Sequence, residues 1–173
     1  VASFSMALVI LVGMMGSGKS TVGMKLAGSL DVPFLDTDVL LERRLGRPIR
    51  QWFQIYGETA FREHEHLVLA EMTEEEGVLA TGGGIVLRED NWAEMHRLGV
   101  VVFLDVLPEV LKERLRTTKR KRPLLEHADW EERFDSLLTQ RRDLSLRADF
   151  VVPSGAEDHD VVASRIKEML LGE

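Results

Sequence analysis

Eight residues near the start of the chain have the types and spacing of a phosphate-binding loop. Residues 13–20 read GMMGSGKS, which matches the pattern G-x-x-x-x-G-K-[ST] at every fixed position. The glycines let backbone N–H groups turn towards phosphate oxygens at the start of a helix, where anions are favoured. Lys19 would reach the β- and γ-phosphates of a nucleoside triphosphate, and the Ser20 hydroxyl would bind Mg²⁺.

Two carboxylates follow the second predicted strand, in the run Asp36-Thr37-Asp38. Ligands of an open α/β sheet bind beyond the carboxyl ends of the strands, so we expect these carboxylates near the γ-phosphate. One can serve Mg²⁺, directly or through water, and the other can accept a proton from an acceptor hydroxyl. The alternative is that Asp38 only caps the following helix. The neighbouring phosphate loop favours the catalytic interpretation, and one aspartate can do both.

Arg62 and Glu65 lie three residues apart, on one face of a predicted helix. Without further context the spacing favours a surface ion pair, worth under about 1 kcal/mol. The alternative is that Glu65 holds Arg62 in a fixed pose, so that its planar fork can bind a substrate carboxylate. His64 and His66 point to different sides of the helix and are rejected as a metal pair.

Three glycines, Gly82, Gly83 and Gly84, follow the third predicted strand. Such a run is either a flexible connection or a place where backbone amides approach a small ligand closely. Their position at the carboxyl end of the sheet favours the second interpretation.

A basic cluster, Arg114 to Arg122, reads RLRTTKRKR in a chain that is acidic on average. The chain has 22 Lys+Arg against 29 Asp+Glu, a net charge of -7, which argues against binding nucleic acid or anionic membrane over the whole surface. The cluster is either a solvated face, a nucleic-acid contact or a mobile lid. It lacks interleaved aromatic residues, which weakens the nucleic-acid alternative. A lid that brings arginines to a transferring phosphoryl group explains it better.

The elements that must position these groups alternate along the chain. Strands are predicted at 7–12, 33–35, 78–81, 100–105 and 150–152, and helices at 20–30, 38–45, 58–75, from Pro108 into the basic cluster, and at 130–146 and 160–171. This alternation predicts an α/β fold with a parallel sheet of about five strands and right-handed crossovers.

Composition limits the remaining possibilities. The chain has 173 residues, of which 45% are hydrophobic and 29% charged, so we expect a single domain over 1–173 with a packed core. It has no Cys, which excludes a disulfide framework and a thiolate metal site. No apolar run approaches the ~18 residues of a membrane span. Residues 1–5 are interpreted as a possible expression leftover.

Taken together and in this order, the motifs resemble those of shikimate kinase. The matching stretches are LVGMMGSGKSTVG (11–23), DTD (36–38), GETAFREHE (57–65), TGGG (81–84) and RPLL (122–125). The resemblance implies a P-loop NTPase fold of the nucleoside-monophosphate-kinase type, a three-layer sandwich with a five-stranded parallel sheet. It also implies a substrate-binding region at 34–65 and a mobile lid at about 114–127.

The activity implied by the resemblance is ATP-dependent phosphorylation of the 3-hydroxyl of shikimate, in chorismate and aromatic amino-acid biosynthesis. The implied enzyme uses Mg²⁺ and is a cytoplasmic monomer that binds neither nucleic acid nor membrane. The implied catalytic residues are Lys19, Asp38 and Arg122, and the metal residues are Ser20 and Asp36. The implied ATP-binding residues are Gly13, Gly16, Ser17, Gly18, Lys19, Ser20, Thr21, Arg116, Arg122 and Pro153. The implied substrate-binding residues are Asp38, Arg62, Gly82, Gly83, Gly84 and Arg141.

The sequence departs from the family pattern in two places. The family often has R-x-x-x-Y late in the chain, and Ser145 stands where that Tyr is usual. Arg141 is the expected substrate ligand, with Arg142 possible by a slip of one residue. The lid is about one residue shorter than is common, which bears on the assignment of Arg116 to the adenine base.

Two other functions are compatible with parts of the sequence. One is a sister kinase acting on gluconate or a nucleotide, against which Arg62 and the three glycines weigh. The other is a nucleotide-binding switch without turnover. The presence of every residue needed for phosphoryl transfer weighs against it.

Overall fold

The computed structural model describes residues 7–119 and 122–172. The suggested expression leftover at 1–5 lies outside these residues, and so do Arg120 and Lys121 of the basic cluster. Within the described part of the chain, no helix combines the length and apolar character needed to cross a bilayer.

Five strands form one parallel sheet, which confirms the predicted fold class. They are β1 (Leu8–Val12), β2 (Phe34–Asp36), β3 (Val78–Ala80), β4 (Gly99–Val106) and β5 (Phe150–Ser154), in the spatial order β2-β3-β1-β4-β5. β1 reads LVILV and is buried along its whole length, as expected for a central strand covered on both faces. Its carboxyl end, where the phosphate loop begins, therefore lies between the ends of β3 and β4.

The described residues form seven α-helices, six of them between strands and the seventh after the last strand. They are α1 (Lys19–Leu30), α2 (Thr37–Leu45), α3 (Ile49–Ala70), α4 (Glu89–Leu98), α5 (Pro108–Thr117), α6 (Trp130–Ser145) and α7 (His159–Leu171), with short 3₁₀ turns at Ile85–Leu87 and Pro123–Glu126. They pack on both sheet faces and so make the predicted three layers.

The hydrophobic core has two main parts, one on each face of the sheet. Leu8 and Ile10 of β1 pack against residues of α3 and α4, among them Leu69, Trp92 and Met95. The alternate residues of β1, Val9 and Leu11, pack against α1 and α7 through Val22, Leu26, Val162 and Ile166. A smaller cluster joins the phosphate loop to α5 and α6 through Met14, Leu111, Leu115 and Phe134. The loops that carry the candidate site residues thus follow strands that are packed on both faces.

The helix predicted at 58–75 was wrong at both ends. α3 starts at Ile49 and continues to Ala70 across an interruption at Gly57, where φ is 83° and ψ is 177°. Burial of Trp52 stabilises the additional first part. The run TEEEG at 73–77 has no apolar side chain to bury, so the helix ends before it.

Helix α4 was not predicted. Its apolar residues Trp92, Met95 and Leu98 are buried at spacings of three, which is the signal that could have identified it.

A test of the sheet packing uses Gly99, which begins β4 opposite Leu8. A Cβ built on Gly99 would lie 1.9 Å from the backbone oxygen of Leu8, inside the central strand pair. We expect Gly99→Ala to lower the free energy of unfolding by about 3 kcal/mol, the upper end of what overpacking usually costs. Urea denaturation measures this change.

Gly28→Ala is the matched control, because no atom lies within 4 Å of its Cβ position on the exposed face of α1. It should raise the stability by about 0.5–1 kcal/mol. If Gly99→Ala unfolds at the same urea concentration as the parent protein, the close approach of β1 and β4 at this point is wrong.

Candidate active site

The phosphate loop after β1 is curled around the side chain of Lys19. Gly16 and Gly18 have φ values of 81° and 90°, which favour glycine. The Nζ of Lys19 donates to the backbone oxygens of Gly13 at 2.6 Å and Met14 at 3.0 Å. Gly18 caps the start of α1, so the first backbone N–H groups of that helix face the same space. The loop therefore has the form of an anion-binding site.

Two further residues assigned to the nucleotide lie in or next to this loop. Ser17 is buried, and its hydroxyl lies 3.4 Å from the Nζ of Lys19. Thr21 lies in the first turn of α1.

The ionisation of Lys19 shows which charges surround it. Loss of solvent lowers the pKa of Lys19 to about 8. The carboxylates of Asp38 and Asp36 act in the opposite direction, whereas the charges of Arg122 and Arg141 lower the pKa further. Five residues from four separate parts of the sequence are thus within electrostatic reach at one edge of the sheet.

Asp36 joins α1 to the start of α2. One of its carboxylate oxygens accepts a hydrogen bond from the Ser20 hydroxyl at 3.2 Å, and the other accepts from the backbone N–H of Asp38 at 2.8 Å. Asp36 is therefore the cap of α2. The alternative that Asp38 is only a helix cap is wrong.

The residues at Ser20 and Asp36 fit Mg²⁺. A hydroxyl and a carboxylate are hard oxygen donors, and Mg²⁺ commonly takes one or two such protein ligands while keeping water and phosphate oxygens. Within 7–119 and 122–172, no group of three or more His, Cys, Asp and Glu side chains could hold a metal ion. His66 is engaged by Asn91 at 2.9 Å.

Arg62, which is partly buried, forms an ion pair with the buried Glu65. Nη1 of Arg62 donates to Glu65 at 2.9 Å, and only 1% of the Glu65 side chain is exposed. Burial raises the pKa of Glu65, and the neighbouring Arg62 opposes this shift. The expectation of a surface ion pair was therefore wrong, because tertiary packing encloses this face of α3.

The glycine loop lies directly against these side chains. A Cβ on Gly84 would lie 2.3 Å from the guanidinium carbon of Arg62. A Cβ on Gly82 would lie 2.9 Å from Oε2 of Glu65 and 3.2 Å from Oδ1 of Asp38. The loop has no side chains because α3 and α2 already fill the space beside it.

Arg141 and Arg142 have different surroundings. Arg141 is buried, and the Cβ position of Gly83 lies 3.2 Å from its Nη1. Burial lowers the pKa of Arg141, and the charge of Arg62 lowers it further. Arg142 instead donates to both carboxylate oxygens of Asp105, at 3.1 and 2.9 Å. The structure thus brings Arg141, rather than Arg142, to the glycine loop.

Three buried polar atoms in this cluster have no hydrogen-bond partner among the described residues. They are Nε of Arg62, Oε2 of Glu65 and Nε of Arg141. Buried polar groups are nearly always paired with protein, water or ligand. These atoms therefore mark a polar site beside Asp38 and the phosphate loop.

Two threonines that sequence reasoning missed hold the glycine loop in place. The Thr37 hydroxyl accepts from the backbone N–H of Gly82 at 3.0 Å, and the Thr81 hydroxyl donates to the backbone oxygen of Leu11 at 2.7 Å. Both side chains are buried. Thr37 lies two residues after the strand predicted at 33–35, and Thr81 ends the strand predicted at 78–81. Both lie within motifs already singled out, which was the available signal.

Arg114 was also missed. Its guanidinium donates to the backbone oxygens of Gly16 at 3.1 Å and Gly155 at 3.4 Å, and so joins the phosphate loop to the loop after β5. Its position three residues after Leu111, on the face of α5 that packs on the loop, was the available signal.

The two residues assigned to the adenine base have other described contacts. Arg116 donates to Glu131 at 2.9 and 2.7 Å. Pro153 is exposed on β5, where its backbone oxygen accepts from Arg165 at 2.7 Å. Their assignment to the base stays a prediction.

Comparison with known proteins agrees with this arrangement. The family model for shikimate kinase matches residues 15–171. A shikimate kinase of Parasynechococcus marenigrum (strain WH8102) is 42% identical over 161 residues, which cover 92% of this chain and 84% of that protein. The chain belongs to the shikimate kinase family. The resemblance seen in the sequence, and the enzyme class it implied, are confirmed.

Solved shikimate kinases share the fold. The enzyme of Acinetobacter baumannii, in complex with shikimate, has a TM-score of 0.90 and 34% identity, with 96% of this chain and 94% of that chain covered. The enzyme of Bacteroides thetaiotaomicron has a TM-score of 0.87 and 34% identity, with 95% and 98% covered. The P-loop kinase architecture predicted from the sequence is confirmed.

The lowered pKa of Lys19 predicts proton uptake when ATP binds. With a pKa of about 8, roughly half of the Lys19 side chains are neutral at pH 8 in the free protein. Phosphate oxygens favour the ammonium form and raise the pKa again, so binding should take up about half a proton at pH 8. Calorimetric titration in two buffers of different ionisation enthalpy measures the uptake.

Lys19→Arg is the control for this measurement. Arginine stays charged at pH 8, so the uptake should disappear in this variant. Equal uptake by the parent protein and the variant would show that the titrating group is not Lys19.

Proposed function

We propose that this chain transfers the γ-phosphoryl group of ATP to the 3-hydroxyl of shikimate, giving shikimate 3-phosphate and ADP. The observation that carries the proposal is the convergence of Arg62 and Arg141 on the glycine loop, beside Asp38 and Lys19. A small acid with a carboxylate and ring hydroxyls matches this set of charges.

Arg62 and Arg141 bind the carboxylate of the acceptor. Guanidinium groups form paired, charge-assisted hydrogen bonds with carboxylates, and both groups have a buried Nε without a described protein partner. Glu65 holds Arg62 in position. Gly82, Gly83 and Gly84 line the acceptor site and let Arg62, Glu65 and Arg141 lie close to the backbone. Binding at two points orients the acceptor, which removes much of the entropy barrier to reaction.

Asp38 orients the acceptor hydroxyl and accepts its proton. The hydroxyl oxygen forms a bond to the γ-phosphorus, the bond from that phosphorus to the β–γ bridging oxygen breaks, and ADP leaves. Asp38 suits this role because Asp36 already caps α2, so the Asp38 carboxylate is not needed for the cap. Its charge acts on Lys19, which places it close to the phosphate loop.

The phosphates are held by the loop amides around Gly13, Gly16 and Gly18, together with Lys19 and Arg122. Cations aimed at the transferring group stabilise charge that develops in the transition state. Ser20 and Asp36 would hold Mg²⁺, which supplies further positive charge to the phosphate oxygens when bound.

Arg114 joins Arg116, which the sequence assigned to the adenine base, at the base end of the nucleotide. It contacts both the phosphate loop and the loop that follows Pro153, whereas Arg116 is paired with acidic side chains. The proposal keeps the cytoplasmic location and the monomeric state expected from the sequence. A monomer suffices because one chain supplies every group named above.

ADP release tests the proposed function. The protein is mixed with Mg-ATP and, separately, with shikimate, gluconate, quinate or nucleoside monophosphates. We expect shikimate to stimulate ADP release most strongly. Stimulation by gluconate or a nucleotide alone would favour the sister kinase, and no stimulation by any of them would favour a nucleotide-binding switch. Either result refutes the proposal.

Asp38→Asn tests the assignment of the proton acceptor. The amide keeps the shape but loses the base, so kcat should fall by roughly 10²–10⁴ while ATP affinity changes little. Steady-state kinetics and nucleotide titration measure both quantities. Arg62→Ala gives the contrast, because it should mainly raise KM for shikimate. Near-normal turnover of Asp38→Asn would remove Asp38 from the mechanism.

A further inference from the structure

Arg141 occupies its place at a cost in free energy. Its guanidinium is buried, and both burial and the charge of Arg62 lower the pKa of Arg141. Both effects favour movement of the side chain out towards solvent, and the charges of Glu58 and Glu65 act in the opposite direction. Because Arg141 lies on α6, the placement of that helix also determines whether its guanidinium stays beside Gly83.

Apolar packing holds the first part of α6 more firmly than the part around Arg141. Phe134 is buried, and Trp130, Leu137 and Leu138 pack beside it, whereas the buried residues further along are Arg141 and Ser145, with Leu144 partly buried. Ser145 donates to the backbone oxygen of Arg141, four residues back in the same helix, at 2.7 Å. That hydrogen bond lies within the helix and cannot hold it against the sheet.

Arg142 supplies a tie to the sheet. It lies about 100° further around the helix than Arg141. Its side chain is 46% exposed, and its guanidinium makes two hydrogen bonds with Asp105, whose side chain is 18% exposed. Paired hydrogen bonds restrict both the distance and the orientation of the two groups. The pair therefore favours one rotation of α6 relative to Asp105.

Asp105 is in turn fixed relative to the phosphate loop. It lies near the carboxyl end of β4, which is hydrogen-bonded to β1 with Phe103 opposite Val12. Gly13, the first residue after β1, is so close to Leu104 that a Cβ on Gly13 would lie 3.1 Å from the Leu104 backbone oxygen. Asp105 thus provides α6 with an anchor on the strand beside the loop.

We propose that Arg142 is a positioning residue for the acceptor site, which acts by holding α6 so that Arg141 stays against Gly83. This inference rests on the proposed function, in which Arg141 binds the shikimate carboxylate. It gives Arg142 a role different from the direct contact that the sequence left open. Loss of the Arg142–Asp105 pair releases Arg141, so it weakens shikimate binding and leaves ATP binding intact.

The chain contains a matched ion pair that lacks this geometry. Arg147, just after the end of α6, donates to both carboxylate oxygens of Glu89 on α4, each at 2.7 Å. This pair also makes two hydrogen bonds, but it lies beyond Ser145 and ties the chain to a different helix. If Arg142 only stabilised the fold, the loss of either pair would have the same effect on KM for shikimate.

The experiment compares Arg142→Ala with Arg147→Ala by steady-state kinetics and thermal unfolding. We expect Arg142→Ala to raise KM for shikimate about 3- to 10-fold, with KM for ATP within about twofold of the parent value. Arg147→Ala should leave both KM values unchanged, although both variants lose some thermal stability. Asp105→Asn should reproduce Arg142→Ala, and Arg142→Lys, which keeps one hydrogen bond, should give an intermediate KM.

A second comparison tests whether Arg142 acts through Arg141. If it does, Arg141→Ala/Arg142→Ala has the same KM for shikimate as Arg141→Ala alone. A further rise in the double variant overturns the inference, because Arg142 then acts independently. An equal rise in Arg147→Ala also overturns it.

The failure of the inference can be distinguished from that of the proposed function. If Arg141→Ala raises KM for shikimate and Arg142→Ala does not, the inference alone is wrong. If Arg141→Ala leaves that KM unchanged, the proposed role of Arg141 is wrong, and the inference fails with it.

Discussion

Two guanidinium groups of like charge, Arg62 and Arg141, lie close together in a space with little solvent, and the carboxylate of Glu65 lies with them. The charge of Arg62 lowers the pKa of Arg141, and the burial of Glu65 raises the pKa of its own carboxyl. The hydrogen bond between Arg62 and Glu65 offsets part of these costs. Glu58 also lies 3.5 Å from Arg62, but its side chain is 59% exposed, so Glu65 is the buried carboxylate of this cluster. The acceptor end of the site therefore has two arginines beside one buried carboxylate, which favours an anionic ligand.

The nucleotide end depends on backbone geometry instead. The loop after β1 obtains its shape from glycines with positive φ and from the strands on either side of β1. The two ends of the site meet because β1 lies next to both β3, which leads into the glycine loop, and β4, which carries Asp105. The strand order thus brings a backbone-built phosphate site and a side-chain-built acid site to the same edge.

Much of this arrangement could be predicted from the sequence, because the phosphate loop, the aspartates and the strands have local patterns. The sequence could not reveal which side chains become buried. Glu65 belongs to an exposed ion pair by spacing alone, and only the packing of the glycine loop against α3 encloses it. Arg114 and Arg116 are equally basic in the sequence, but only Arg114 is on the face of α5 that meets the phosphate loop. The first part of α3, before the interruption at Gly57, could not be predicted either. It is stabilised by burial of Trp52, which the sequence alone does not reveal.

In a parallel sheet every strand starts at the edge opposite to the one where it ends, so the segments that lead into the strands lie away from the chemistry. One of these segments, just before β3, contains the exposed residues Glu74, Glu75 and Glu76. The sequence has no Cys, so a single cysteine introduced in this segment would be the only thiol of the chain. A fluorophore or a surface tether could then be attached at one defined point, on the side of the sheet that the substrates do not use.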